Sequence, residues 1–225
     1  MAKVAVVAAL EREVAPLVVG WQVGWRSWDS RQFKFFESDG AVVVCGGIGP
    51  AAARRACEAV CGLYGPEMVI SAGFAGALVS DLQVGDIVVP ARVIDAGDGS
   101  SVETSAGSGG LVSVSEMATV ERKRVLGGKY DAVVVDMEAA AVAKAAGLRR
   151  VGFGAVKVVS DVVDFEIPVV EGAVDSRGRL HEGRFLAGVV IRPWVWGRVV
   201  KMVFHSSVAS RKLAEALRVR LGEFR

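Results

Sequence analysis

The amino-acid sequence predicts an α/β fold of three layers, with helices on both faces of a β-sheet. Two short apolar runs carry this prediction, residues 131–138 and 154–161, and both are rich in β-branched side chains. Such runs are typical of strands buried on both faces. Between them, the alanine-rich stretch 139–146 predicts a helix, with Gly147 as the left-handed residue that closes it. Strands alternate with helices along the whole chain, without an internal repeat.

Composition limits the possible classes of protein. The 225 residues are 52% hydrophobic and 23% charged, which predicts a single domain over residues 1–225 with a sizeable core. A formal net charge of +2 gives no electrostatic reason to expect nucleic acid. Three cysteines in apolar surroundings are expected to be core residues of a cytosolic protein: Cys45, Cys57 and Cys61. His181 and His205 are too far apart for a metal site, and we expect neither a signal peptide nor a transmembrane helix.

The N-terminal part is predicted to consist mostly of strands. Residues 3–9 form a buried strand, residues 21–37 alternate as in a hairpin with one wet face, and residues 41–45 form another strand. Glu11 and Glu13 follow the first strand. Acidic residues suit the first turn of a helix, and a carboxylate just past a strand end can equally point into a ligand crevice.

The middle of the chain is predicted to alternate strands and helices around two turns of small residues. The turn 46–50 precedes a predicted helix, 51–63, and its spacing does not fit a dinucleotide fingerprint, so we interpret it as a turn that allows close approach. The turn 72–77 follows the predicted strand 68–71. The next predicted elements are strand 87–94, a Gly/Ser-rich loop 96–110, strand 111–115 and helix 117–126. That loop is either a lid over a binding site or a surface loop without a function.

The C-terminal part mixes apolar and basic residues. Trp194 and Trp196 stand beside arginines, and residues 207–221 predict an amphipathic last helix. Such a helix most often packs on its own sheet. A basic, tryptophan-containing segment, here about 182–225, can instead lie at a membrane surface. We expect packing and keep peripheral membrane contact as an alternative.

Acidic residues mark the predicted ends of two strands. Asp136 can cap the helix after it and Asp161 can form a turn, so either residue alone is explained by local structure. We expect both at the same end of neighbouring strands, with Glu138 close by. Because ligands of open α/β sheets bind outside the carboxyl ends of strands, the three carboxylates together predict a binding site.

Five stretches, spread over about two thirds of the chain, resemble the purine nucleoside phosphorylase and nucleosidase superfamily. The resemblance is strongest to its methylthioadenosine/S-adenosylhomocysteine nucleosidase branch. The stretches are 4–14, Gly47-Ile48-Gly49, 71–76 with the following 84–89, Asp136-Met137-Glu138-Ala139, and Ser160-Asp161. The resemblance implies a three-layer αβα sandwich with a central mixed β-sheet, and cleavage of the bond between a purine and ribose.

The resemblance also implies roles for single residues. Asp161 matches the catalytic aspartate that protonates the purine at N7, and Ser160 would orient it. Glu13 matches the second catalytic residue, a glutamate that positions the attacking water. Glu138 matches the ribose-binding glutamate, with Met137 against the sugar. The acid is needed because a purine leaves an oxocarbenium-like sugar poorly unless it is protonated.

The remaining predicted substrate-binding residues are Ile48, Phe74, Met117 and Lys157. Ile48 lies in the first glycine turn, and Met117 is expected beside the base. Lys157 stands where the nucleosidases commonly carry arginine and is expected to fix nearby carboxylates. Phe74 stands where the family usually has a hydroxyl, and Ser71 where the hexameric phosphorylases have an arginine nearby. Both departures weaken the usual phosphate site and favour water as the nucleophile.

The C-terminal third resembles a subgroup, the hopanoid-associated phosphorylases. The matching motifs are Gly183-Arg184-Phe185-Leu186 and Arg192-Pro193-Trp194-Val195-Trp196. That subgroup is linked to removal of adenine from adenosylhopane, whose 5′ side carries a polycyclic lipid, and an apolar Phe74 suits such a substrate. The alternatives are a methylthioadenosine/S-adenosylhomocysteine nucleosidase and a nucleoside-binding relative without the reaction. The last is less favoured because Glu13, Glu138 and Asp161 are all present.

We expect a small-molecule nucleoside as the ligand, without metal or organic cofactor. Inorganic phosphate remains an alternative co-substrate to water. The resemblance implies a homodimer or a larger homo-oligomer. The expected location is the cytoplasm, with peripheral membrane contact as the alternative stated above.

Overall fold

A mixed β-sheet of eleven strands forms the centre of the computed structural model, which describes residues 2–104, 106–165 and 196–224. The strands are β1 Val4–Ala8, β2 Gln22–Trp28, β3 Arg31–Ser38, β4 Ala41–Cys45, β5 Met68–Ala77, β6 Ile87–Val88, β7 Arg92–Asp95, β8 Ser101–Glu103, β9 Gly110–Ser113, β10 Val134–Asp136 and β11 Gly152–Asp161. The helices are α1 Glu11–Val14, α2 Pro50–Tyr64, α3 Val120–Tyr130, α4 Ala139–Leu148 and α5 Trp196–Gly222.

The long strand β5 organises the sheet. The strand order is β2-β3-β4-β1-β5-β10-β9-β7-β8, and β11 pairs with both β5 and β6. β1 and β11 run parallel to β5 on its two sides, whereas β10 joins the end of β5 in the antiparallel direction. The predicted hairpin is present as β2 and β3. The expected mixed central sheet is therefore confirmed.

Alternation along β1 divides the core into two layers. Val4 and Val6 contribute to the cluster that contains Leu213 of α5, whereas Ala5 and Val7 contribute to the cluster beneath α2 and α4. Because successive strand residues point to opposite faces, one strand serves both cores. Burial of each large side chain contributes roughly 1.5–3 kcal/mol. The three-layer sandwich that the sequence predicts is thus confirmed.

Several predicted boundaries are wrong for identifiable reasons. The predicted strand 87–94 is two strands, β6 and β7, because Pro90 has no N–H to give to a ladder. The loop 96–110 contains β8, which pairs with β7. The helix predicted at 117–126 begins later, after Thr119, whose Oγ1 accepts the backbone N–H of Arg122.

Two helices end or begin differently from the prediction. Gly147 lies inside α4, and the left-handed residue beyond the helix is Arg150, with φ +55°. α5 is already helical at Trp196, well before the predicted start at 207, and no proline interrupts it from there to Gly222. The earlier part of the predicted C-terminal segment, 182–195, lies outside the described residues. Of the helices in the described ranges, not one combines the length and apolar character that crossing a bilayer requires.

Candidate active site

A cavity of about 190 Å³ opens where β1, β5, β10 and β11 end. Eight of the nine predicted site residues line it: Glu13, Ile48, Phe74, Met117, Met137, Glu138, Ser160 and Asp161. Leu10, Phe165 and Ser206 complete much of the wall, the last from α5. The loops and strand ends that carry these predicted residues thus meet at one cavity.

The strand ends meet in a way that the sequence did not predict. β10 and β11 are not neighbours, because β5 lies between them and β10 runs antiparallel to it. Val135 pairs with Gly76, and so does Asp161, after a register shift that follows Val159. The two acidic ends therefore approach the cavity from opposite directions across the end of β5.

Two glycines of β5 make room for the two predicted catalytic acids. A Cβ on Gly73 would lie 3.0 Å from Oε2 of Glu13, and one on Gly76 would lie 2.9 Å from Oδ2 of Asp161. Contacts this short are tighter than carbon and oxygen tolerate without movement of one of them. Residues 72–77, predicted as a turn after a strand 68–71, are part of β5, and their small side chains admit carboxylates of the chain itself.

Asp161 is held by two neighbours. Ser160 Oγ donates to its Oδ1 at 2.8 Å, and Lys123 Nζ forms an ion pair with its Oδ2. Lys123 comes from α3, lines the cavity and is 1% exposed. The carboxylate therefore has an oriented hydroxyl on one oxygen and a buried ammonium on the other.

Glu13 is buried where the chain turns from β1 into α1. Its Oε2 accepts the backbone N–H groups of Ala9 and Leu10, at 3.1 and 3.2 Å. Burial raises the pKa of Glu13, and the two N–H groups and the Lys157 ammonium offset only part of this effect. A raised pKa suits a carboxylate that takes a proton near neutral pH.

Glu138 follows β10 and lies next to the glycine turn that precedes α2. Its Oε1 accepts the Gly49 N–H at 2.8 Å, and its Oε2 accepts the Met137 N–H at 3.2 Å. Burial, followed by the nearby negative charge of Asp136, raises the pKa of Glu138 to about 7. The first glycine turn thus positions a carboxyl group at the cavity wall.

The sequence model of the phosphorylase superfamily matches residues 3–121, more than half of the chain. The chain belongs to this superfamily. Over 57 residues it is 37% identical to 5′-methylthioadenosine/S-adenosylhomocysteine nucleosidases from Buchnera aphidicola, for example those of strains Tuc7 and 5A. That stretch is 25% of this chain and 25% of each relative, so the match spans about a quarter of the curated relatives.

Solved structures resemble the whole fold. The native futalosine hydrolase of Helicobacter pylori superposes with a TM-score of 0.74 at 18% identity, covering 99% of this chain and 98% of that one. A mutant of the H. pylori methylthioadenosine/S-adenosylhomocysteine nucleosidase, with 5′-methylthioadenosine in its active site, gives 0.74 at 17% identity and covers 99% of both chains. The Neisseria meningitidis nucleosidase gives 0.68 at 19%, covering 97% of this chain and all of that one. These likenesses show a shared fold.

Lys157, predicted among the substrate-binding residues of this superfamily member, does not line the cavity. It is buried beneath the floor, where its Nζ lies 2.8 Å from Oδ2 of Asp136 and donates to Oγ of Ser71 at 3.1 Å. Asp136 also accepts the Ser113 hydroxyl at 2.5 Å and the Ala139 N–H at 2.9 Å. Lys157 thus fixes a carboxylate, as expected of it, from a position below the ligand space.

Sequence reasoning missed Lys123. One pattern indicates it in retrospect: Lys123 and Leu126 are the buried residues of α3, three positions apart and so on one face. A lysine in a polar helix is usually exposed, so the pattern alone is weak. Within the described ranges, no group of His, Cys, Asp and Glu is placed to hold a metal ion.

Proposed function

We propose that this protein cleaves the N-ribosidic bond of an adenine nucleoside and releases adenine. The observation that carries the proposal is the convergence of Asp161, Glu138 and Glu13 on one cavity that is otherwise mostly apolar. Removal of a purine from ribose needs a proton for the base, a partner for the sugar hydroxyls and an activated nucleophile. The three carboxyl groups provide one group for each need.

Asp161 is the acid in this proposal. It would protonate N7 of the purine, so that the electron pair of the breaking bond is accommodated on a neutral base. Ser160 fixes the carboxyl by its 2.8 Å hydrogen bond. Met117 and Phe165 also line the cavity and would offer apolar surface to the purine ring.

Glu138 and Glu13 serve the sugar side. Glu138 would accept hydrogen bonds from the ribose hydroxyls while Met137 packs against the ring. Glu13 would orient a water molecule and take its proton, a task that its raised pKa suits. We propose water as the nucleophile, because Phe74 offers no hydrogen bond and Ser71 is fully buried against Lys157.

The substrate that we propose carries an apolar 5′ group of the adenosylhopane kind. Ile48, Phe74 and Leu10 give the cavity apolar walls. Ser206 of α5 lines the cavity, and Val203 and Phe204, three and two residues earlier, are exposed. An apolar group that leaves the cavity past α5 would find apolar surface there.

A second candidate substrate is methylthioadenosine or S-adenosylhomocysteine, cleaved by hydrolysis. It is favoured by the curated relatives from Buchnera and by the solved H. pylori structure with 5′-methylthioadenosine in its active site. The two candidates share the chemistry and differ in the 5′ group, so one assay separates them.

The deciding experiment measures adenine release from three nucleosides, with and without phosphate, followed by chromatography of the sugar. The substrates are methylthioadenosine, S-adenosylhomocysteine and adenosine with a bulky apolar 5′ substituent. Preferential release from the third, giving a free ribose, supports the proposal. Fast release from the first two supports the second candidate, and a ribose 1-phosphate product contradicts water as the nucleophile. No release from any of them contradicts the proposed function.

We further propose a cytoplasmic homo-oligomer, a dimer or larger, that touches membranes peripherally through α5. Exposed Val200, Val203 and Phe204 stand beside Lys201 on this helix, a pattern that suits a membrane surface. Truncation is not a usable test, because Leu213 and Leu217 of α5 are core residues. Replacement of the three exposed apolar residues by serine should reduce sedimentation with liposomes, and unchanged sedimentation would contradict membrane contact.

A further inference from the structure

We propose that Lys123 supplies the proton that Asp161 passes to the purine. This inference rests on the proposed function and adds a residue to it. Lys123 would act through Asp161 and not on the substrate, as a positioning and proton-supplying residue. The acid would then be a two-residue unit, with its proton stored on an ammonium group.

The surroundings of Lys123 fit its charged form. Its Nζ contacts Oδ2 of Asp161, the carbonyl oxygen of Val162 at 3.0 Å and the carbonyl oxygen of Phe165 at 3.4 Å. An ammonium has three N–H donors and no acceptor, and here all three donors face acceptors. The side chain is 1% exposed, so these contacts replace water and hold the ammonium in place.

The surroundings of Asp161 indicate where the proton resides before the reaction. One oxygen accepts the Ser160 hydroxyl and the other accepts Lys123, which is the pattern of an ionised carboxylate. An ionised carboxylate has no proton to give to N7. Among the described side chains in contact with Asp161, Lys123 is a far stronger acid than the Ser160 hydroxyl. Lys123 is therefore the described side chain from which Asp161 can receive the proton.

The backbone is shaped around this pair. A Cβ on Gly76 would lie 2.9 Å from Oδ2 of Asp161 and 3.1 Å from Cε of Lys123. Both members of the pair also line the cavity. Buried ion pairs are weak evidence for stability, since apolar residues of similar size often serve as well. A buried pair at the wall of the cavity is better explained by a part in the reaction.

The proposed step conserves atoms and charge. The bond between C1′ and N9 breaks and its electron pair stays on adenine. Lys123 gives its proton to Asp161 and becomes a neutral amine, and Asp161 passes that proton to N7 and is again a carboxylate. The oxygen of water bonds to C1′, and the proton that it loses goes to Glu13. After the products leave, solvent returns a proton to Lys123 and accepts one from Glu13.

The test compares leaving groups that need a proton with one that does not. Lys123→Met and Lys123→Arg are assayed on the adenine nucleoside that the wild-type protein cleaves and on 4-nitrophenyl riboside, whose phenolate leaves unprotonated. We expect both variants to lose roughly 10²-fold or more in kcat on the nucleoside, in the range of general acid catalysis. On the aryl riboside we expect them to stay within about threefold of the wild type, because no proton transfer to the leaving group is needed.

The arginine variant and a neighbouring control make the result decisive. Arginine keeps the positive charge but does not release a proton at the pH of the assay, so a Lys123→Arg protein with wild-type kcat on the nucleoside would overturn the proposal. Equal losses on both substrates would show a structural role and overturn it too. If Lys123→Met does not fold, Lys123→Arg alone gives the decision.

Arg124→Met serves as the control, since Arg124 is the next residue and pairs only with exposed Asp164 among the described residues. It should match the wild type on both substrates. A wild-type protein that releases no adenine from any nucleoside would contradict the proposed function itself, whereas an active wild type with unchanged Lys123 variants would contradict this inference alone.

Discussion

Two buried lysine–aspartate pairs lie within the same end of the sheet, and they differ in what surrounds them. Lys157 sits below the floor and its partner Asp136 lines the cavity, but their side chains are only 1% and 0% exposed. Lys123 and Asp161 sit at the cavity wall, with side chains 1% and 6% exposed. In each pair a long apolar stem brings an ammonium group to a carboxylate at a strand end.

The difference lies in how completely each carboxylate is satisfied. Asp136 receives a hydroxyl, a backbone N–H and Lys157, and its side chain is closed to solvent. Asp161 receives one hydroxyl and Lys123, and it borders the cavity. A carboxylate that accepts three donors and is closed to solvent serves the structure. One that keeps a free side toward a cavity can exchange a proton with what binds there.

The largest expected effect is on catalysis at the cavity pair. Asp161→Asn removes the acid and keeps its size, so turnover should fall roughly 10²- to 10⁴-fold while nucleoside binding persists. Adenine release and equilibrium binding measure the two properties separately. Asp164→Asn, three residues further and exposed, is the matched control and should be unchanged. Full turnover by Asp161→Asn would mean that another group protonates the purine.

For the free energy of unfolding, the Lys157–Asp136 pair should matter more than the Lys123–Asp161 pair. Lys157→Met leaves Asp136 charged and closed to water, which should lower the free energy of unfolding by about 3–5 kcal/mol. Lys123→Met should cost less, because water in the cavity can reach Asp161. Urea denaturation of both variants, at the same pH, gives the comparison. Similar losses for the two variants would contradict the distinction between a structural and a catalytic pair.

The sequence predicted the two aspartates and Lys157 of these pairs, but not Lys123. Strand-end acids follow apolar runs, so Asp136 and Asp161 were recognisable, and the motif that contains Glu138 placed it beside them. Lys123 was not found, because its partner lies 38 residues away and nothing local distinguishes it from an exposed helix lysine. Such a pairing depends on tertiary structure.

The pairing of the strands could likewise not be predicted from local sequence. The sequence indicated strands at 131–138 and 154–161, but their separation by β5 and the reversed direction of β10 follow from long-range pairing. The two acids meet nonetheless, because Val135 and Asp161 both pair with Gly76. The predicted residues do line one cavity at strand ends, whereas the strand arrangement that brings them together was not predicted.

Glu138 extends the comparison to a partly buried carboxyl group that forms no ion pair with a lysine among the described residues. Its pKa is about 7 in the fold against an ordinary 4.5, so folding favours its protonated form. Its contribution to stability is therefore full below about pH 4.5 and is lost as the pH rises through 7. Glu138→Gln avoids this loss and should be more stable than the wild type at pH 8, by up to about 3 kcal/mol.

Thermal or urea unfolding at pH 5 and pH 8 tests the direction of this pH dependence. The advantage of Glu138→Gln should grow between the two values, and nucleoside affinity should fall because a carboxylate no longer faces the ribose. An advantage that shrinks as the pH rises would mean that Glu138 is paired and ionised in the folded protein.

The smallest expected effect comes from an exposed pair that joins the same two segments as the cavity pair. Arg124 and Asp164 lie 2.8 Å apart with side chains 67% and 68% exposed, one residue after Lys123 and three after Asp161. Water already stabilises both charges, so Arg124→Met should change the free energy of unfolding by less than about 1 kcal/mol, and less still in high salt. Urea denaturation at two salt concentrations measures this. A loss as large as that of Lys157→Met would mean that proximity to the site, and not burial, decides what an ion pair contributes here.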